Sequence, residues 1–315
     1  MKNSLVFFLP LFLVLSCQPT PSPQTPAISL PNVPYITVLG IAQDAGFPQA
    51  GCQKECCASA WQHFRERRMV SCLGLVDPRT GQAWLFDATP DFKDQHYQLE
   101  SRHQSSLAGV FLTHAHVGHY TGLMHLGREI MGAKEVPVYT MPRMKSFLEQ
   151  NGPWSLLTEL NNISIVPLYA DSTIQLAADL QIMPFLVPHR DEFSETVGFQ
   201  IQGPDHTVMF IPDIDKWNLW ERDIRQKLAE VEYAFLDGTF FANGEIPGRD
   251  MSEIPHPFIE ESMNLFATLS ESDKEKVHFI HFNHTNPVLQ SNSEARHQVI
   301  KNGYHLAEEG MVIEL

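Results

Sequence analysis

Short apolar runs alternate with turn sequences and longer mixed stretches over most of the chain. Nine runs rich in β-branched and aromatic residues predict strands, at residues 35–41, 71–77, 82–88, 109–114, 136–140, 197–203, 207–213, 233–238 and 277–282. Stretches of helical character fall between some of them, at residues 53–67, 121–131, 142–151, 216–230 and 256–270. The strands come both in hairpin succession and alternating with helices. The pattern therefore predicts an α/β fold in which two mixed β-sheets pack together with helices outside.

The N-terminal segment follows a different pattern. A charged start, an apolar run too short to span a bilayer (5–15) and Ser16 before Cys17 are the parts of an export signal. "LVLSC" resembles a bacterial lipobox, which implies a lipidated Cys17. An ordinary signal peptide and a buried core segment are the alternatives, but the Pro/Ser/Thr-rich sequence that follows cannot pack into a core. We predict a lipoprotein-type signal peptide (1–17), a tether (18–34) and one domain (35–315), exported from a bacterium and anchored at a membrane surface on its periplasmic or outer face.

The composition supports a folded domain and excludes one class of partner. Hydrophobic residues make up 43% of the 315 residues, which is enough to build a core. The 22 Lys and Arg residues against 37 Asp and Glu residues give a formal net charge of -15, and no basic cluster interrupts it. Because nucleic acids bind cationic surfaces, we expect a small-molecule substrate and no nucleic acid.

Histidine and aspartate side chains stand at the ends of several predicted strands. His114 and His116 follow "GVFLT", Asp213 ends "TVMFIP", Asp237 ends "YAFL" and His281 ends "VHFI". Side chains alternate along a strand, so a His-x-His pair directs both imidazoles to one face. Loops at the ends of neighbouring strands gather in one place, and these residues are therefore candidates for one site.

The segment "FLTHAHVGHYTGL" carries three histidines within six residues. A polar surface loop is the ordinary interpretation of an isolated histidine, but this spacing after an apolar run indicates a metal site. The segment resembles the T-H-x-H-x-D-H-x-x-G signature of the metallo-β-lactamase superfamily, with matches at Thr113, His114, His116, His119 and Gly122. The resemblance implies an αββα sandwich of two mixed β-sheets flanked by helices.

The resemblance continues in order along the chain and implies a dinuclear metal centre. It implies a first ion on His114, His116 and His189, a second ion on His119 and His281, and Asp213 between the two. These ligands suit one or two Zn(II) ions, and Fe or Mn also accept them. A metal-bound hydroxide would be the nucleophile.

One position departs from the signature. Gly118 stands where the superfamily has a carboxylate on the second metal. The departure predicts that the second ion binds more weakly, is replaced by another ion or is lost. Asp44 and Asp215 are candidates to replace the missing ligand, although a loop cap or a solvated carboxylate is the interpretation that we favour for both.

Two further segments resemble the tRNase Z and phosphodiesterase branch of the superfamily. "FLDGTFF" contains Asp237, and "IPHPFIEESM" places His256 at the start of a predicted helix. The resemblance implies that Asp237 and His256 act as a paired general acid on the leaving group. A buried turn cap at Asp237 and a solvent-facing His256 are the alternatives.

The cysteines in "AGCQKECCASAW" indicate a second metal-binding motif. Cys52, Cys57 and His284 match the structural zinc site of proteins that resemble the cyclic phosphodiesterase of phosphonate metabolism, and Cys56 is a candidate third thiolate. Such a site would join the N-terminal loop to the C-terminal strand. Outside the cytoplasm, disulfides among these three cysteines and Cys72 are the alternative. The sequence context favours zinc.

The segments "TVLGIAQDAGFPQAGC" and "HFNHTNPVL" most resemble the PQQ synthesis protein B group. Our leading hypothesis is a lipid-anchored metallohydrolase acting on a small phosphodiester or related ester. The first alternative is a PQQ synthesis protein B-like, metal-dependent oxidative protein that processes a cofactor, and Gly118 favours it because an incomplete second site leaves open coordination on one ion. The second alternative is a non-catalytic metal-binding lipoprotein. The ordered set of ligands argues against it.

Overall fold

The structure is a computed structural model that describes residues 30–315. The predicted signal peptide with Cys17, and the tether up to residue 29, lie outside the described residues. Within residues 30–315 no helix combines the length and the apolar character needed to cross a bilayer.

The first sheet has seven strands and mixes both directions of pairing. Its members are β1 (Tyr35–Gly40), β2 (Cys72–Asp77), β3 (Gln82–Phe86), β4 (Ser106–Phe111), β5 (Val136–Thr140), β6 (Ile163–Pro167) and β14 (Val312–Glu314). The order across the sheet is β14-β1-β2-β3-β4-β5-β6. Pairing is antiparallel from β14 to β3 and parallel from β3 to β6.

The second sheet repeats this plan. Its members are β7 (Ile174–Ala177), β8 (Leu180–Leu186), β9 (Val197–Gln202), β10 (Thr207–Ile211), β11 (Tyr233–Asp237), β12 (Val277–Ile280) and β13 (His305–Leu306), in the order β13-β12-β11-β10-β9-β8-β7. Strands β10 to β13 are parallel, so the segments that follow β10, β11 and β12 begin at the same edge of the sheet.

The two sheets pack face to face through one aromatic core. Phe86 on β3 lies edge-on to Phe199 on β9, with ring centroids 5.3 Å apart, and stacks on Phe111 of β4 at 5.1 Å. All three side chains are fully buried. The predicted fold class, two mixed sheets flanked by helices, is confirmed.

Helices cover the outer faces and the ends of the sheets. They are α1 (Glu55–Gln62), α2 (Phe92–Ser101), α3 (Val117–Tyr120), α4 (Pro142–Gln150), α5 (Trp154–Glu159), α6 (Ile224–Leu228), α7 (Ile259–Leu265), α8 (Glu271–Lys274) and α9 (Glu294–Lys301). The nine predicted strands are all present. The prediction missed the remaining strands, and it also missed α2, α3, α5, α8 and α9.

Two of the predicted helices are wrong. Residues 121–131 form a 3-10 helix over Thr121–Leu126 followed by turns, because Gly122 passes against the chain before α2: a β-carbon at Gly122 would lie 2.1 Å from Thr89 O. Residues 216–230 divide into a 3-10 helix over Trp217–Leu219 and the short α6. The helix predicted at 256–270 is shorter, since α7 ends at Leu265.

A partly buried carboxyl group in the segment before β14 gives the fold a pH-dependent stability. Glu309 Oε1 accepts a hydrogen bond from the Met69 amide. Burial raises the pKa of Glu309 to about 7. Between the ordinary carboxyl pKa and 7 the folded chain therefore binds more protons than the unfolded chain, and stability falls as pH rises through this window.

We expect Glu309→Gln to stabilise the fold at pH 8 by about 2 kcal/mol and to have little effect near pH 4.5, because a neutral amide has no charge to desolvate. Urea unfolding of the metal-free proteins at both pH values measures this. Glu308→Gln is the matched control, since Glu308 is exposed and paired with Arg296. An equal gain for Glu309→Gln at both pH values would contradict the prediction.

Candidate metal centre

The six predicted metal ligands meet at one edge of the sandwich. The loop after β4 supplies three histidines, the loop after β8 supplies another, and the ends of β10 and β12 supply the remaining two residues: His114, His116, His119, His189, Asp213 and His281. Parallel neighbours end at the same edge, where α/β proteins commonly bind ligands. The ligand atoms fall into two groups that share Asp213. His114, His116 and His189 make up the first, and His119, His281 and Asp44 make up the second.

The Asp213 carboxylate lies at the centre of the histidines. Its Oδ2 is 3.1 Å from His119 Nε2, 3.3 Å from His281 Nε2 and 3.4 Å from His114 Nε2. Its Oδ1 is 3.8 Å from His189 Nε2. One carboxylate thus reaches both ligand groups, as a residue between two metal ions must.

Two histidines of the loop after β4, His114 and His119, are oriented by their outer ring nitrogens. Asp87 Oδ2 lies 2.6 Å from His119 Nδ1. Thr113 Oγ1 donates to Asp87 and lies 3.0 Å from His114 Nδ1. Because Nδ1 is held from outside, Nε2 of each ring is directed into the site.

The other two buried histidines are held in the same way. Asp215 Oδ1 lies 3.0 Å from His189 Nδ1, and Thr239 Oγ1 lies 3.0 Å from His281 Nδ1. A carboxylate or hydroxyl group on the far nitrogen is the usual support of a metal-binding imidazole. Asp215 therefore supports a ligand rather than taking the place of the one missing at Gly118.

The atoms that face the centre fit a metal ion. Among residues 30–315, several buried atoms at this site have no hydrogen-bond partner: Nε2 of His114, His119, His189 and His281, and Oδ1 of Asp44 and Asp213. Leaving buried polar groups unpaired is costly. Six such atoms directed at one another are the arrangement expected of ligands to divalent ions.

Opposing electrostatic effects act on these rings. Burial lowers the pKa of His114 well below its usual value, and the neighbouring His119 lowers it further. Burial also lowers the pKa of His119, but the charge of Asp87 and the contacts with Asp213 and Asp44 raise it well above its usual value. Burial raises the pKa of Asp213, but the surrounding imidazoles lower it well below the ordinary range.

His256 and Asp237 form a pair beside the ligand groups. His256 Nδ1 lies 2.8 Å from Asp237 Oδ2 and 3.3 Å from Asp213 Oδ1. Burial lowers the pKa of His256, but the charges of Asp237 and Asp213 outweigh it and raise this pKa to about 9. His256 lies three residues before α7, not at its first residue as the sequence predicted.

Asp237 is fully buried and bonded on both oxygens. Oδ1 accepts from the backbone amide and the hydroxyl of Thr239, at 2.9 and 2.7 Å, while Oδ2 accepts from the Ile214 amide. Asp237 therefore both caps a turn and orients His256.

Comparison with known proteins agrees with this site. The model of a protein family described as "Beta-lactamase superfamily domain" matches residues 83–282, which is more than half of the chain. The chain belongs to the β-lactamase superfamily. The matched segment contains every histidine of the site and Asp213.

Relatives within the superfamily match almost their whole length. Coenzyme PQQ synthesis protein B of Xanthomonas campestris pv. campestris (strain B100) is 27% identical over 313 residues, covering 89% of this chain and 99% of that protein. The crystal structure of Zn(2+)-bound PqqB from Methylobacterium extorquens has a TM-score of 0.75 at 22% identity, over 89% of this chain and 100% of that one.

A second solved structure has the same fold. A diphosphatase from the PhnP family has a TM-score of 0.62 at 21% identity, over 90% of this chain and 97% of that one. At such identities the structural matches show the fold alone. The resemblances found in the sequence are confirmed at the level of the superfamily and of these relatives.

The cysteine cluster of this superfamily member also assembles. Cys52, Cys56, Cys57 and His284 place their ligand atoms within 4.8 Å of one another. Cys52 Sγ and Cys56 Sγ are 3.7 Å apart, and the four cysteines of the described residues are free of disulfides. Zinc at this cluster remains a prediction, and the geometry can hold the ion.

Two residues, Asp87 and Asp44, have contacts at the site that the sequence analysis did not predict. Asp87 is the residue that follows β3, and its carboxylate orients His119. Its φ of 73° is a conformation rare outside glycine. The signal was present, because Asp87 ends an apolar strand just as Asp213 and Asp237 do. For Asp44 the sequence favours a loop cap or a solvated carboxylate, whereas its Oδ1 lies 3.3 Å from His119 Nε2.

Proposed function

We propose that this protein is a metal-dependent hydrolase of a small phosphodiester or related ester. One observation carries the proposal: two groups of converging ligand atoms, six of which are buried and unpaired within residues 30–315, lie directly beside the His256–Asp237 pair. A ligand set alone would fit a binding protein. An oriented imidazole next to it supplies what cleavage needs, a group that donates a proton to a departing oxygen.

His114, His116, His189 and Asp213 would hold one divalent ion, and His119, His281 and Asp213 a second. Bound there, such ions lower the pKa of a water molecule towards neutrality and polarise an ester oxygen. The chain's own contributions are positional. Asp87, Thr113, Asp215 and Thr239 fix the imidazoles, and Asp237 holds the His256 ring.

An exposed arginine favours an anionic substrate. Arg190 follows His189 directly and is exposed, and its positive charge lowers the pKa of both His116 and His256. The acidic neighbours are engaged elsewhere: Asp191 pairs with Arg143, and Glu192 lies 3.4 Å from His116. Arg190 is therefore available to a phosphate oxygen, for which a guanidinium is well suited.

Turnover of bis(4-nitrophenyl) phosphate by the purified protein tests the proposal. We expect activity after loading with Zn(II) or Mn(II), loss on chelation and recovery when the metal is restored. His256→Ala should retain bound metal and lose most of its turnover with poor leaving groups, and less with 4-nitrophenolate, which needs little protonation. Absence of turnover by fully metal-loaded protein across a series of phosphodiesters would contradict it.

Arg190→Ala should raise KM for a phosphodiester by about 10-fold, which corresponds to roughly 1.4 kcal/mol of lost binding. Metal content and melting temperature should not change, since the side chain is exposed. Arg190→Lys should recover part of the loss, because it keeps the charge without the paired donors. Steady-state kinetics with a neutral carboxylic ester as a second substrate distinguish recognition of the substrate's charge from a general effect on the site. An equal rise in KM for the neutral ester would show that Arg190 does not recognise the charge of the substrate.

A second candidate function follows from the relatives. Coenzyme PQQ synthesis protein B matches this chain over 99% of its own length. A metal-dependent, oxidative step in cofactor processing is therefore the alternative. Anaerobic loading with Fe(II), followed by oxygen-consumption measurements with a quinone-precursor peptide, distinguishes it from hydrolysis.

We further propose export and lipid anchoring through Cys17. The support is the sequence "LVLSC" and the Pro/Ser/Thr-rich segment that follows it. Cell fractionation of the wild type and of Cys17→Ser checks this proposal, since the variant should leave the membrane fraction.

A further inference from the structure

The space beside Gly118 is filled by another part of the chain. A β-carbon at position 118 would lie 2.3 Å from Asp44 Oδ1 and 2.6 Å from Asp44 Cα. Both distances are far below van der Waals contact, and the second involves backbone that a rotamer change cannot move. A side chain at 118 therefore cannot coexist with the loop that carries Asp44. The glycine is a packing requirement of that loop.

Asp44 directs its carboxylate at the second ligand group. Its Oδ1 is 3.3 Å from His119 Nε2 and 3.9 Å from His281 Nε2. With one oxygen of Asp213, these atoms all lie within 4.8 Å of one another. Within residues 30–315, Asp44 Oδ1 is buried and has no hydrogen-bond partner. An ordinary loop cap would have its oxygen bonded to a backbone amide.

The backbone fixes this loop against the strand end that carries His281. The Gln43 amide donates to Phe282 O, and the Phe282 amide donates to Ile41 O, so the residues flanking Asp44 and His281 are bonded to each other. Gly46 then turns the chain with φ of 71°. The position of Asp44 is thus set by main-chain bonds, as expected for a preorganised ligand.

We propose that Asp44 replaces the carboxylate missing at position 118 and completes a second metal position with His119, Asp213 and His281. The carboxylate enters from the loop after β1 instead of from α3, and the ligand chemistry is the same. This assignment rests on the proposed metal-dependent hydrolase. It also opposes the sequence-based prediction that Gly118 weakens the second site, because the two give different metal counts.

Metal titration of the purified full-length protein tests the proposal. With Co(II), thiolate charge-transfer absorption reports the cysteine cluster separately from the histidine sites. We expect the wild type to bind two ions at the histidine sites, and Asp44→Asn, which keeps the shape and removes the charge, to bind the second ion about 100-fold more weakly or not at all. Asp215→Asn is the matched control, since Asp215 supports a ligand of the first group and should weaken that group instead.

A ligand exchange gives a second test that does not depend on one variant folding. Gly118→Asp alone should be destabilised by its clash with Asp44. Asp44→Gly/Gly118→Asp should regain both stability and the second ion, because the carboxylate then enters as in the superfamily signature. A single ion at the histidine sites of the wild type, or unchanged second-ion affinity in folded Asp44→Asn, would overturn the proposal.

These outcomes are independent of turnover. Two ions bound through Asp44 in a protein that cleaves no phosphodiester would overturn the proposed function and leave the ligand assignment intact. Phosphodiester cleavage by a protein whose Asp44→Asn variant keeps both ions would support the proposed function and overturn the ligand assignment.

Discussion

Asp213→Asn is expected to abolish binding of at least one ion at the histidine sites and to reduce kcat for a phosphodiester by about 1,000-fold or more. The reason is the position of the carboxylate. Its two oxygens lie 3.1 to 3.8 Å from Nε2 of His119, His281, His114 and His189, and within residues 30–315 no other side chain belongs to both ligand groups. An amide keeps the volume but presents a neutral oxygen and a donor to the ions.

Elemental analysis and stopped-assay kinetics measure the two effects on the same preparation. The matched control is Asp215→Asn, the same isosteric change two residues along the chain. The Asp215 carboxylate contacts the outer nitrogen of His189. Its loss should weaken metal binding by roughly 10- to 100-fold and leave activity recoverable at high metal concentration. Full metal content and activity in Asp213→Asn would show that the carboxylate does not bridge the two groups.

Cys52→Ser is expected to remove one zinc ion per chain and to lower the melting temperature by about 5–10 °C. Four ligand atoms of the cysteine cluster converge within 4.8 Å and join α1 to the segment after β12. A metal present at about 100 times its dissociation constant contributes roughly 3 kcal/mol, since it binds the folded state alone. In a chain of this size that corresponds to the stated shift. Cys52 is partly exposed, so the serine itself costs little.

The control for this prediction is the chelated wild type. Once both proteins are stripped of metal, they should melt at the same temperature, and Cys72→Ala should keep the full zinc content because Cys72 lies outside the cluster. Thiol titration of the unfolded, unreduced protein distinguishes zinc from disulfides. The zinc site predicts that Cys52, Cys56 and Cys57 all react, and two missing thiols would favour a disulfide.

The sequence by itself determined the central strands and the ligands that follow them. Strands such as β10 and β11 are buried on both faces and read as uninterrupted apolar runs. A polar residue at the end of such a run stands out, which is how Asp213, Asp237 and His281 were found.

Edge strands and short helices depended on their surroundings. Strand β7 is half-exposed, β8 contains Pro184, and β13 has two residues. Such segments have weak local preference and form because a neighbouring strand supplies their hydrogen bonds. The same holds for residues 216–230, where both tryptophans donate to fixed partners, Trp217 to Ser262 and Trp220 to Leu186, and the helix is interrupted.

The tertiary structure alone decided the meaning of Gly118. In the sequence this glycine is a lost ligand, and Asp44 is one of two candidate replacements for which a loop cap or a solvated carboxylate is the favoured interpretation. Main-chain bonds between residues 41–43 and Phe282 bring the turn against α3, where Asp44 occupies the space that a side chain at 118 would need. That space is created by contacts between segments far apart in the chain. The local sequence around Gly118 or Asp44 therefore cannot predict it.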